Sequence, residues 1–306
     1  MINSNNFVLF CKSYRNDVLR AKRLLDSVVQ YNAENIPFYL STPMADKQLF
    51  VDTLGSHGYV WVSDEDIAAA NARSGTAWLA TTHGYVAQQI IKSEFWRLGL
   101  CEAYLCLDSD AMFIRPFGIR DFVHPSGVLY SIMHDCAELL TEADRRGLHK
   151  VRENFMADSD MLKSEFGRVG EDYDFAPTPM LWSAQVWRWL DEMYLQPKGE
   201  TLVQAITRKP SEIRWYGEAL LASQCMPIYK ITPLFRCYHF DWCYQMDAAK
   251  GIGLDDLRTD YLGVIYQSNW ESALDPAFIK KNALSRLARK LKYFIRNRLV
   301  GILKIS

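Results

Sequence analysis

The chain has 306 residues, 49% apolar and 23% charged, so it can bury a sizeable core and is not globally disordered; this length allows one large or two small domains. A net charge of −1 excludes a global nucleic-acid footprint. Seven cysteines with no C-x-x-C pair fit reduced thiols better than a disulfide framework, Met1 to Asn6 lacks the features of a signal peptide, and no run of eighteen apolar residues could span a bilayer.

The apolar run 7–11 reads as a buried strand. After the polar turn 12–17, Val18, Leu19, Leu24, Leu25, Val28 and Val29 recur at helical spacing. A second strand is expected at 37–40, a second helix at 45–54 with Gly55 as its stop, and a third strand at 59–62. This β-α-β-α-β rhythm predicts an α/β fold, a parallel sheet with helices on both faces. Residues 68–84 read as loop or short helix, and 85–98 as a helix. A continuous apolar strand, 103–107, ends in Asp108-Ser109-Asp110. Further on, 128–133 is a strand, 137–172 is charged and helical or loop-like, 180–195 is helical, 218–223 is a short helix, and 228–231 and 261–266 are strands. There is no internal repeat and no low-complexity linker. The division expected is one α/β domain, 1–275, and a C-terminal appendage, 276–306.

Asp108 and Asp110 are two apart at the carboxyl end of a strand buried on both faces, so their side chains can converge. Such strand ends are where open α/β sheets bind ligands. Two close carboxylates repel unless one is protonated or a cation sits between them, and oxygen ligands suit Mg²⁺ or Mn²⁺ completed by water and a diphosphate. The plain alternative is a polar turn. There is no G-x-x-x-x-G-K-S/T loop, which removes P-loop chemistry, and no G-x-G-x-x-G after the first strand, which argues against dinucleotide binding.

The segment Tyr-Leu-Cys-Leu-Asp-Ser-Asp-Ala-Met-Phe, 104–113, resembles the D-x-D segment of nucleotide-sugar-dependent glycosyltransferases of the GT-A fold. Gln88-Gln89-Ile90-Ile91-Lys92 is similar to the helix before that segment in bacterial members, and Trp215-Tyr216-Gly217-Glu218 resembles a W/L-Y-G-E segment of a poorly characterised bacterial group. The resemblance covers roughly 7–270. It implies a nucleoside-diphosphate sugar donor, a UDP-sugar first among them, a divalent cation, Mn²⁺ or Mg²⁺, and transfer to an acceptor hydroxyl. It assigns the donor to Lys12, Ser13, Tyr14 and Asp17 at the end of the first strand, with Gln89, Lys92 and Ser109. Tyr14 could stack on a base. Asp17 could accept from a ribose hydroxyl or cap the following helix. Lys92 could neutralise a phosphate or be a solvated helical lysine.

Arg236 to Cys243 alternates, so an extended backbone would put Cys237, His239, Asp241 and Cys243 on one face. Four such ligands span about 20 Å, too far for one zinc ion. His239 alone is the candidate third metal ligand, as a late His completes the shell in several D-x-D enzymes; a hydrogen-bonded core histidine is the alternative. Glu218, in an aromatic turn, is the candidate base for an inverting transfer, with Asp241 and Glu212 behind it; a helix carboxylate is the plain reading. Trp182, Trp215, Tyr216 and Gln267 are candidate acceptor contacts, although tryptophans at helical spacing more often form core.

The charge is uneven: 26 basic and 36 acidic residues stand up to Asp275, about −10, and nine Lys/Arg with no acid follow. From Leu284 the apolar positions form a helical stripe, so 284–304 reads as a basic amphipathic helix, about 30 Å long, lying on an anionic membrane surface. Docking on the chain's own acidic surface or an oligomer contact are the rival roles. The whole reading is a metal-dependent transferase at the inner face of the cytoplasmic membrane, acting on a glycan or lipid-linked glycan in surface polysaccharide or lipopolysaccharide synthesis. A sugar-phosphate nucleotidylyltransferase is the rival enzyme, although the turn Lys12-Ser13-Tyr14-Arg15 lacks the expected glycine. An inactive peripheral-membrane scaffold is the non-enzymatic alternative.

Overall fold

Phe7 to Cys11 offers water no polar side chain, and these residues form strand β1 (Phe7–Lys12), buried along its whole length. The computed structural model describes residues 1–177 and 179–271. The expected strands follow as β2 (Phe38–Thr42), β3 (Val60–Ser63) and β4 (Ala103–Asp108); then come β5 (Ala111–Phe113), β6 (Tyr130–Ile132), β7 (Met180–Ser183), β8 (Tyr229–Ile231), β9 (Phe235–Tyr238) and β10 (Gly263–Tyr266), of which β6, β8 and β10 were expected. The central sheet has the order β3-β2-β1-β4-β7. Its first four strands are parallel, and β7 runs antiparallel to β4 at the edge.

Successive side chains of a strand point to opposite faces, and both faces of this sheet are covered. Val8, Phe10, Tyr104, Cys106 and Trp182 face one core, with Ile90, Ile91, Trp187 and Trp215 brought by helices. Phe7, Leu9, Leu105, Leu107 and Leu181 face the other, against Leu24, Leu25 and Val28 of the helix Val18–Tyr31 and Phe50 of the helix Lys47–Leu54. The fold is therefore α/β, with a mostly parallel central sheet and helices on both sides. Gly55 ends the second helix with φ 82, a positive value that glycine adopts without a Cβ penalty.

A smaller sheet, β5-β10-β9, begins two residues after β4 ends. Asp108-Ser109-Asp110 is the corner between the two sheets. A third pair, β6-β8, completes the strands described.

Three segments depart from the sequence reading. Residues 180–195 were expected as one helix. Met180–Ser183 instead pairs with β4, and the helix Ala184–Arg188 and a π-helical turn, Trp189–Leu195, follow. An apolar run this short fits either period, and the free edge of β4 decides it. The helix expected at 218–223 begins at Glu212, so Glu218 lies mid-helix and not in a turn. The alternation of 236–243 stops at Tyr238, and the helix Asp241–Ala249 takes Asp241 and Cys243 off the strand. The appendage 276–306 lies outside the described residues. All seven cysteines are free thiols.

Candidate active site

β1 and β4 are in register so that Lys12 lies beside Asp108, at the carboxyl edge of the parallel strands. The corner after Asp108 turns the chain into β5, and its second acid is held from three sides. The Asp110 carboxylate accepts from the Ser268 N–H at 3.0 Å, and its carbonyl accepts from Arg23 at 3.3 Å and from the Tyr266 N–H. Ser109, between the acids, is buried.

Lys92 is the cation of the site. It comes from the helix Gly84–Glu94, is 4% exposed, and donates to Asp108 at 2.5 Å. Its second partner is the buried Glu212 at 3.5 Å, and the Glu212 N–H donates to Gln89 at 3.3 Å. Burial works against the Lys92 charge, but Asp108 and Glu212 outweigh it and hold the ammonium well above the ordinary lysine range. Burial pushes the Glu212 carboxyl up, Lys92 opposes the rise, and Asp108 adds to it. Asp108, Lys92 and Glu212 thus form one charge chain running from the sheet edge into the interior.

A parallel arrangement stands behind the first strand. Lys12 pairs with Asp64 at 2.8 Å, and the Ser41 hydroxyl donates to the same carboxylate at 2.5 Å. Asp64 follows β3 as Asp108 ends β4, so the same pattern of acid after apolar strand marks it in the sequence. The reading above missed it. Ser13 is buried, and its hydroxyl has no partner among the described residues. Tyr14 is 44% exposed just beyond it. Asp17 occupies the position before the helix Val18–Tyr31 but makes no capping bond, and its carboxylate pairs with Arg20.

The structure brings together Lys12, Ser13, Asp108, Ser109, Asp110, Lys92 and Gln89, and sets Gln267 next to the Ser268 N–H on Asp110. The other expectations need correction. His239 does not join the acid pair: the charges it meets are Asp174, His134 and Arg236. Burial lowers its imidazole, and Asp174 partly offsets this. It follows β9, two strands from β5, which explains the separation. Glu218 is buried and clasped by Arg168 through two bonds of 2.6 and 2.8 Å, so its carboxylate is engaged and faces no acceptor. Trp182, Trp215 and Tyr216 are core residues. Trp182 packs edge-on to Trp187, Trp215 donates to the Lys209 carbonyl, and the Tyr216 oxygen accepts from Ser183 N–H at 2.8 Å. Asp241 opens its helix, half-buried.

Among the described residues no three His, Cys, Asp or Glu side chains gather as a metal site. The donor set at the corner is two carboxylates. Hard oxygen donors of that number are the kind that hold Mg²⁺ or Mn²⁺ together with substrate phosphates and water, so the residues fit the expected ion.

Residues 8–233 match a family of unknown function, DUF6492. The chain belongs to that family. No curated protein sequence matches it. Among solved structures, this DUF6492 chain is similar to mouse xyloside xylosyltransferase 1, with 10% identity over 86% of this chain and 98% of that one, TM-score 0.44. It is also similar to the galactosyltransferase LgtC in complex with donor and acceptor sugar analogs, with 13% identity over 85% and 87%, TM-score 0.48. A third is the bifunctional glycosyltransferase WbbM, with 10% identity over 88% of this chain, TM-score 0.49. The chain spans about half the length of WbbM, 47%.

Proposed function

We propose that this chain is a metal-dependent glycosyltransferase, moving a sugar from a nucleoside-diphosphate sugar, a UDP-sugar first among them, to a hydroxyl of a glycan or lipid-linked glycan. The observation that carries the reading is the corner Asp108-Ser109-Asp110 at the carboxyl edge of the parallel strands, with buried Lys92 on Asp108. The sequence resemblance of 104–113 to D-x-D segments supports it.

In this reading Asp108 and Asp110 hold Mn²⁺ or Mg²⁺. When bound, that ion supplies positive charge for the departing diphosphate. Lys92 aims Asp108, and Ser268 and Arg23 fix Asp110. Ser13 offers its buried hydroxyl to the nucleotide, and Tyr14 an exposed ring to the base. The acceptor oxygen bonds to the anomeric carbon as the bond from that carbon to the diphosphate oxygen breaks. The electron pair leaves on the diphosphate and the hydroxyl proton passes to solvent.

Donor hydrolysis across a panel of nucleotide sugars with Mn²⁺ tests this. Release of a nucleoside diphosphate from one donor, abolished by EDTA, is expected. No release from any donor, with or without metal, contradicts it.

The basic tail carries the second part of the reading, a peripheral position at the cytoplasmic face of a membrane in surface polysaccharide or lipopolysaccharide synthesis. Its support is the run of nine Lys/Arg after Asp275 with no acid among them. No helix of the described residues is long and apolar enough to cross a membrane. The full chain is expected to sediment with phosphatidylglycerol vesicles, and the Arg286→Glu, Arg289→Glu, Lys290→Glu, Lys292→Glu variant to stay in the supernatant. Equal sedimentation of both sinks this part.

A further inference from the structure

The described residues hold a further cleft, beyond the acid pair. Two cavities, of about 290 and about 480 Å³, meet at Cys136, Leu139 and His239. Together they fall in the size range of small-molecule sites. Trp242 lines the first and Phe240 the second, and the two rings stack on each other with centroids 5.5 Å apart and planes 9° apart. Phe240 is 36% exposed. Stacked rings turn their outer faces opposite ways, and Arg146 also lies over the Trp242 ring at 5.0 Å, so Trp242 backs Phe240 and Phe240 is the ring left to the second cavity.

The polar side of the cleft is built from Asp174, His134 and His239. The backbones of His134 and Asp174 bond each other in both directions, at 3.1 and 2.7 Å. The His134 imidazole stands 3.9 Å from the Asp174 carboxylate, and the charge of Asp174 also reaches His239. Nothing in the donor site uses these three residues.

Strand register gives the distance to the acid pair. Cys237, which lines the first cavity, lies opposite Ile265, and Ile265 lies opposite Ala111, the residue after Asp110. Two strand spacings are roughly 10 Å. That separation is about the span of one transferred sugar between a diphosphate at the acid pair and a hydroxyl in the cleft.

A pyranose has an apolar C–H face and a rim of hydroxyls. A cleft that sets the Phe240 ring against carboxylate and imidazole matches both. Carboxylates also outnumber cations among the lining residues, so a phosphorylated or carboxylated group would meet repulsion there.

We propose that this cleft is the acceptor subsite and takes an uncharged saccharide, stacked on Phe240 with its hydroxyls on Asp174 and His239. The proposal rests on the glycosyltransferase reading, which supplies the donor half of the site.

The test uses the full chain with UDP and Mn²⁺ on an array of immobilised neutral and anionic glycans, with UDP binding followed by calorimetry. Wild type is expected to retain neutral glycans. Phe240→Ala and Asp174→Asn are expected to lose roughly tenfold or more of that signal while keeping their melting temperature and UDP heat. Phe240 is at an exposed position, so Phe240→Ala covers the case in which Asp174→Asn fails to fold. Undiminished retention by the variants, retention of anionic glycans alone, or UDP heat with no glycan retained overturns the subsite and leaves the donor reading standing. Glycan retention without UDP heat sinks the donor reading and keeps the cleft.

Discussion

Lys92 is held by two carboxylates, and only one of them reaches the sheet edge. Removing one partner of a buried ion pair leaves the other charge uncompensated, which costs about 3–5 kcal/mol. Lys92→Met is therefore expected to lower stability by about that much at pH 7 in denaturant titrations. The pH dependence follows from Glu212, whose carboxyl burial already pushes up and which rises further without Lys92. Below its unfolded pKa the group is protonated in both states and the penalty is absent. As pH rises toward the folded pKa, the folded state keeps a proton that the unfolded state has lost, and stability falls. The loss is thus small near pH 4 and grows toward pH 7, and adding Glu212→Gln removes most of that growth. A loss independent of pH would show that Glu212 is not buried against this lysine. At this scale the place of Asp108 and Asp110 at a strand end was legible because they follow an apolar run, whereas the burial of Lys92 between Asp108 and Glu212 was not. Glu212 was noticed only as a lesser candidate base, and nothing in the local sequence says that it meets Lys92 from 120 positions away.

The helix Glu212–Ser223 carries the Trp-Tyr-Gly-Glu segment, and its glycine has a packing reason. A Cβ on Gly217 would stand 2.3 Å from the ring of Phe175. The helix approaches that ring closely because the position has no side chain. In a free helix Gly→Ala would add about 1 kcal/mol of stability, whereas forcing a methyl into a filled core costs about 1–3 kcal/mol. Gly217→Ala should therefore lower the urea midpoint, and a raised midpoint would show that Phe175 has room to move. The same helix explains why Glu218 was misread. Three residues of helix precede its segment, so the carboxylate turns inward to Arg168 and not toward a cleft. His239 failed for a related reason. Alternation predicts a strand past Tyr238, but the chain starts a helix at Asp241.

For the whole molecule, the parallel order of the sheet was legible because β1 and β4 are apolar on both faces and helices lie between the strands. The edge position of β7 was not, since pairing with β4 is a long-range choice that a four-residue run does not announce. The second sheet was not legible either. It arises because the chain turns sharply after β4, and that turn places two carboxylates between two sheets. The same turn sets the acid pair and the cleft around His239 on adjoining parts of the molecule, joined through β10.

The central claim is that Asp108 and Asp110 together hold a divalent cation and the diphosphate of a nucleotide. Calorimetric titration of UDP into the full chain, with and without Mn²⁺, tests it on wild type, Asp108→Asn and Asp110→Asn. The account predicts a Mn²⁺-dependent binding heat for wild type that is lost in each variant with the fold intact by melting. Undiminished heat in either variant, or no heat in wild type with UDP or any other nucleoside diphosphate, would contradict it.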